Sequence, residues 1–181
     1  MSYGRLSKSQ YTALAPFVHG KTVHDIGAGD LTLAGYLLTL GASHIIAIDK
    51  NPWKSKATKN ITVIETYFER YTDPLDVAFV SWPINHFDQG LLDLIGAART
   101  VIYLGKNSDG QACGFPLLFD HLSKRENPVY IAERPNTLAI YGPNFVERPP
   151  NGEERASLSI DERMWSYDEL EGPTTRITLP G

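Results

Sequence analysis

The chain has 181 residues, 42% of them hydrophobic and 21% charged, a composition that excludes a disordered chain, a fibre or a coiled coil. One domain is expected at this length, large enough to bury about 70% of its unfolded-chain surface. The formal net charge is −4, and eight of the 21 acids but only three of the 17 bases fall between Glu147 and Glu171; the rest is near neutral and lacks the basic surplus of a protein that grips a phosphate backbone.

The pattern predicts a helix over residues 7–18, where Tyr11, Leu14, Ala15 and Val18 recur at helical spacing, with Ser7 or Ser9 as its cap and Gly20 as its stop. Residues 21–26 read as a short buried strand that runs into Gly27-Ala28-Gly29-Asp30. A second helix is expected over 31–40, closed by Gly41, and a second strand over 43–49. The β-branched runs 61–65, 75–80 and 100–104 repeat the strand pattern, with a helix over 87–98 between the last two. Strands alternating with helices at this spacing predict a doubly wound parallel sheet covered on both faces. After Gly110 a helix is expected over 115–122, then strands over 129–133 and 137–141 about Arg134-Pro135-Asn136, a link short enough to force an antiparallel hairpin. The expected fold is therefore a Rossmann-like α/β sheet of about seven strands, mostly parallel, with a C-terminal antiparallel hairpin. Residues 1–142 would form the domain; 143–181, rich in proline and acid and without periodicity, would be an extension that acts as a flap or a subunit interface.

Other classes are unsupported. Apolar stretches fall well short of the roughly 20 residues that span a bilayer, and the first ten residues carry no apolar core of a secretory signal. The single cysteine, Cys113, forms no internal disulfide and reads as a packing residue. No His, Cys or carboxylate spacing suggests a metal. The expectation is a soluble, cytoplasmic protein that does not touch membranes.

The strongest chemical signal is the strand–turn–helix at Gly27-x-Gly29, followed 22 residues after Gly27 by Asp49 at the end of the next strand. Glycines at such a turn let the backbone approach a ligand, and an acid at the second strand's end accepts hydrogen bonds from ribose hydroxyls. A dinucleotide and an adenosyl cofactor such as S-adenosylmethionine both satisfy that geometry. Two residues discriminate. A dinucleotide loop wants Gly or Ala where Thr32 stands, and Asp25, two residues before the first glycine, would repel a pyrophosphate but suits a cationic amino group.

Asp25-Ile26-Gly27-Ala28-Gly29 resembles the first motif of the class I S-adenosylmethionine-dependent methyltransferases, and Asp49 matches that family's acid after the second strand. The likeness extends to the order of elements from about residue 7 to 142; it departs where the motif's third glycine is Leu31. It implies that Ile26, Gly27, Ala28 and Gly29 line the methionine part of the cofactor, Asp25 helps hold its amino group, and Asp49, with Lys50 beside it, binds the ribose. Adenine would sit near the end of the third strand, with Glu65, Thr66 and Tyr67 as candidates; Tyr67 and Phe68 are equally readable as core.

At the reacting end, Ser81-Trp82-Pro83-Ile84 resembles the Asp/Asn/Ser-Pro-Pro-aromatic turn of amino-group methyltransferases, with Ser81 and Pro83 matching and Trp82 and Ile84 departing. That likeness implies a hold on a target nitrogen; the departures weigh against an adenine-type acceptor. Asn85, His86, Asp88 and Asp109 are candidates for handling a proton. Tyr3-Gly4-Arg5-Leu6-Ser7 faintly resembles an element placed against the cofactor in some of these enzymes. Lys50, Lys54, Lys56 and Lys59 form a basic patch, and residues 105–114 could wall the acceptor pocket. Trp165 and Tyr167 would let the tail fold over it. The expected function is methyl transfer from S-adenosylmethionine to a small molecule or a protein group, an amino group favoured, with S-adenosylhomocysteine as product. Alternatives are a non-catalytic module that binds the cofactor, a nucleic-acid methyltransferase and a nicotinamide-dependent oxidoreductase.

Overall fold

A computed structural model describes residues 6–52, 58–84, 86–105, 113–126, 129–133, 136–142 and 174–177. The first helix, α1 (Lys8–Val18), starts at a capping box: Ser7 Oγ accepts from the Gln10 amide at 3.2 Å and Gln10 Oε1 accepts from the Ser7 amide at 3.1 Å. The other end of the buried Gln10 side chain donates to the Asn136 carbonyl at 2.8 Å, which ties this helix to the C-terminal hairpin. Then come β1 (Thr22–Ile26), α2 (Thr32–Thr39), β2 (His44–Asp49), β3 (Ile61–Glu65), a single 3-10 turn at Phe68–Arg70, β4 (Val77–Ser81), α3 (Gln89–Ala97), β5 (Thr100–Gly105), α4 (Pro116–Ser123), β6 (Val129–Glu133), β7 (Asn136–Tyr141) and β8 (Thr174–Ile177).

The strands form one sheet in the order β3-β2-β1-β4-β5-β7-β6-β8. The first five are mutually parallel; β7 runs antiparallel to β5 and β6 antiparallel to β7, so the hairpin folds back and seats its second strand, not its first, beside β5. The seven strands are those expected from the sequence. An eighth, β8, pairs antiparallel with β6 and belongs to the tail read as an extension without periodicity. Four residues are too few to show a period, and it is the unpaired edge of β6 that gives Thr174–Ile177 its hydrogen-bonding partner. The remaining tail, Trp165 and Tyr167 included, lies outside the described residues. No helix among those described is long and apolar enough to cross a membrane.

Strand alternation divides the core. Ile102 and Leu104 of β5 join Leu14, Val18, Leu33 and Leu37 beneath the first two helices, while Val101 and Tyr103 join Leu91, Leu94, Ile95 and Phe119 beneath the other two. Arg125, 3% exposed, crosses from the end of α4 to the carbonyls of Ile95, Gly96 and Ala98 and closes the C-terminus of α3. The other end of α3 is fixed by a close backbone contact as well. A Cβ at Gly90 would stand 2.6 Å from the Glu69 amide nitrogen and 3.1 Å from the Phe68 carbonyl carbon, so the 3-10 turn packs directly on the helix's first turn.

Gly90→Ala should therefore separate two backbones that cannot yield, destabilising the protein by about 1–3 kcal/mol. Gly35→Ala, on the exposed side of α2 with nothing within 4 Å, should stabilise it by about 0.5–1 kcal/mol. Urea titration of both variants checks the contrast.

Candidate functional site

In an open parallel sheet ligands gather beyond the carboxyl ends of the strands, where the strand order reverses. Here that point lies between β1 and β4. A cleft of about 710 Å³ occupies it, running from Ile26 and Gly27 past Asp49, Lys50, Tyr67 and Phe68 to Ser81, Trp82, Pro83, Ile84 and the first turn of α3. That volume is within the range of about 300–1,000 Å³ typical of small-molecule sites.

The turn after β1 is closed by hydrogen bonds within the chain. The amides of Gly27 and Ala28 donate to the Ile48 carbonyl at 2.8 and 3.4 Å, and the Gly29 amide donates to Asp49 Oδ2 at 3.0 Å. Asp49 Oδ1 accepts from the Asn51 amide at 2.8 Å. Every second residue of the turn is left-handed: Gly27 at φ 78°, Gly29 at 52° and Leu31 at 61°. Glycine adopts this conformation freely; for leucine it costs about 1–2 kcal/mol. Leu31 is 7% exposed and packed in the core, so burial offsets the strain and the departure from the three-glycine pattern leaves the backbone path intact.

Asp25 lies behind this turn on β1, 0% exposed, and neither carboxylate oxygen has a hydrogen-bond partner among the described residues. Burial, then the nearby Asp49 and Asp30, push its pKa up to about 7. A buried carboxylate flanked by two more is a place for a cation, and the three amides that would otherwise cradle a phosphate are already bonded to β2.

Of the residues singled out by sequence, Ile26, Gly27, Asp49, Lys50, Tyr67, Ser81, Trp82 and Pro83 line the cleft together. Asp25, Ala28, Gly29 and Thr66 stand behind or beside that lining, and His86 is exposed outside it. Asn85, Asp109, Lys54, Lys56, Tyr3, Gly4 and Arg5 lie outside the described residues, as does most of the 105–114 segment. Its far end is anchored by the buried Tyr103, whose hydroxyl donates to the Cys113 carbonyl at 2.7 Å.

Trp82 combines three constraints. Its φ is 49°, the next residue is Pro83, and its amide donates to the Leu104 carbonyl at 2.7 Å. A residue before proline is restricted on its own account, so the left-handed turn there is strained and is held by its neighbours. The sequence reading missed the opposite wall: Glu69, Phe87, Gln89, Gly90 and Leu91 also line the cleft. Phe87 precedes α3 instead of opening it, because Asp88 is the cap and its carboxylate accepts from the Leu91 amide at 2.9 Å. The Asp88-x-x-Leu91 spacing carried that signal. Phe68 leans over the glycine turn, its ring tip 4.0 Å from where a Gly27 Cβ would be.

No family model matches this chain, and no curated protein matches it in sequence. Solved structures do resemble it. A candidate RNA methyltransferase from Pyrococcus horikoshii superposes with a TM-score of 0.52 at 15% identity, over 76% of this chain and 80% of that one. A ribosomal protein L11 methylase from Lactobacillus delbrueckii superposes with a TM-score of 0.50 at 19% identity, over 80% and 82%. The Burkholderia thailandensis 1,6-didemethyltoxoflavin N1-methyltransferase, solved with its acceptor and S-adenosylhomocysteine bound, superposes with a TM-score of 0.53 at 16% identity, over 77% and 80%. At these identities the likeness is one of fold: a Rossmann-like sheet of the class I methyltransferase type.

The proton balance of Asp25 gives a test that needs no ligand. Between its ordinary value of 3.8 and about 7 the folded protein keeps a proton that the unfolded chain has released, so stability falls as pH rises through that window. The interval corresponds to about 4 kcal/mol. Asp25→Asn should therefore be more stable than the parent at pH 8 by a few kcal/mol, with the gain shrinking towards pH 4; urea midpoints across that range measure it.

Proposed function

We propose that this chain is an S-adenosylmethionine-dependent methyltransferase whose acceptor is a small molecule or a group on a protein, an amino group being favoured. The carrying observation is the glycine turn with a buried, unpartnered carboxylate behind it and a cleft that runs from it to the Ser81-Trp82-Pro83 turn. The residues fit the cofactor's chemistry. Asp25, with Asp30 and Asp49, offers negative potential to an ammonium and a sulfonium; Gly27, bare of side chain, admits close approach; Asp49 keeps free lone pairs for ribose hydroxyls beside Lys50. Ala28 and Gly29 shape the turn, and Thr66 and Tyr67 flank the place for the adenine.

When bound, the cofactor supplies a methyl carbon already activated by its sulfonium. What the chain must do is align the acceptor and exclude water. In this reading Ser81 Oγ and the adjacent backbone orient the acceptor nitrogen, and the rigid Trp82-Pro83 corner blocks its far side. Asn85, which follows that corner in sequence and has no basic group, is a candidate for a hydrogen bond to the acceptor. The proton released on transfer passes through solvent, with His86, exposed outside the lining, as the candidate to take it up. The named acceptors of the structural neighbours span RNA, a protein and a small molecule, so the choice here rests on this cleft. The bonded amides of Gly27, Ala28 and Gly29 speak against a nicotinamide dinucleotide, whose pyrophosphate would need them.

Calorimetric titration should show binding of S-adenosylmethionine and S-adenosylhomocysteine and none of NADH; NADH binding alone would overturn the assignment. Asp49→Ala should weaken S-adenosylhomocysteine at least tenfold, about 1.4 kcal/mol, whereas Ser81→Ala should leave that affinity intact and lower turnover once an acceptor is in hand. Because an ionised Asp25 attracts the ammonium, affinity for S-adenosylhomocysteine should rise from about pH 5.5 to 7 in the parent and stay flat in Asp25→Asn.

A further inference from the structure

The two ends of the cleft differ in chemistry. Five large hydrophobic side chains among the described residues are exposed, and three of them, Tyr67 at 53%, Ile84 at 56% and Phe87 at 58%, line this one cleft. Scattered exposed apolar residues need no explanation, but their concentration around one concavity marks a ligand site. Phe87 is open to solvent yet fixed. Its ring meets the buried Phe115 edge-to-face at 5.6 Å and 74°, so a flat partner can lie against it with little side-chain ordering left to do.

Charge narrows the occupant further. The lining holds the carboxylates of Asp49, Glu69 and Asp88 against one described cation, Lys50, which follows Asp49 at the glycine-turn end. Asp88 follows Phe87 in the chain and the Glu69 backbone packs on Gly90, so an anion on this wall meets two carboxylates; Arg70, outside the lining, is stacked over the Tyr67 ring at 5.4 Å. Ser81 and Gln89 supply hydrogen-bonding groups without charge.

We propose that the methyl acceptor is a planar heteroaromatic small molecule, uncharged or cationic and free of phosphate and carboxylate, whose ring lies between Phe87 and the Trp82-Pro83 corner. This rests on the methyltransferase reading above and adds the acceptor's class to it. The ring is chosen over an alkyl chain because the walls are flat and held, and a small molecule over a polymer because the cleft is concave and carries no basic track among the described residues.

The test uses the full chain saturated with S-adenosylhomocysteine and titrated calorimetrically with indole, tryptamine, indole-3-acetate, n-hexylamine and AMP. Indole and tryptamine should bind at least tenfold more tightly than the other three, and Phe87→Ala should weaken both at least fivefold without changing affinity for S-adenosylhomocysteine. Indole-3-acetate or AMP binding as well as tryptamine would overturn the charge argument, and hexylamine doing so would overturn the planar one. Indifference to Phe87→Ala, or no probe binding below millimolar while S-adenosylhomocysteine binds normally, would overturn this inference alone. If S-adenosylhomocysteine itself fails to bind, the methyltransferase reading falls and this one with it.

Discussion

The turn between β1 and α2 is closed from the side by β2, and the site depends on that closure. One carbonyl, Ile48, takes two amides of the turn, and one carboxylate, Asp49, takes a third while its other oxygen starts the next loop at Asn51. Three consecutive amides are thereby spent inside the protein. The turn is braced by the chain itself, and it presents a smooth backbone in place of a ring of donors. A cleft built on such a turn has no free amide at Gly27, Ala28 or Gly29 to offer a phosphate.

The same closure sets the electrostatics. Holding Asp49 against Gly29 brings it near Asp25, which β1 has already carried into the interior with no partner for either oxygen. An apolar residue at position 25 would pack at least as well, so the acid is a cost to the fold that grows as the pH rises. Costs of this kind concentrate at functional sites, where local rules for stability are broken for a reason outside the fold itself.

Much of this was legible in the sequence because it is local. Short β-branched runs separated by helical spacing gave each strand of the parallel half, and Gly27, Gly29 and Asp49 gave the turn and its partner strand. What was not legible depends on distant parts meeting. That β7 rather than β6 sits beside β5 is decided by the whole sheet, and β8 exists because β6 leaves an edge. The α3 wall was missed for a related reason. Phe87 reads as the first residue of an amphipathic helix, yet Asp88 takes the cap and turns Phe87 outwards to the cleft, while Gly90 is fixed by a contact with residues about twenty positions earlier. His86 shows the converse: a residue chemically suited to catalysis, placed by its neighbours outside the lining.

Two residues other than glycine hold left-handed backbone, and they separate structural strain from strain at the site. Leu31 lies within the core beneath α2, its side chain is packed, and its conformation continues the glycine turn; burial accounts for it. Trp82 is partly exposed at the end of β4, ahead of a proline that narrows its options, and its amide is bound to Leu104 across the sheet. Core packing alone does not call for such a corner. An unstrained continuation of β4 would carry the chain straight on, and Trp82, Pro83 and Ile84 would then extend the sheet instead of bending round the cleft. The strain turns the end of the fourth strand into one wall of the cleft, and the hydrogen bond to Leu104 of β5 helps hold that backbone conformation.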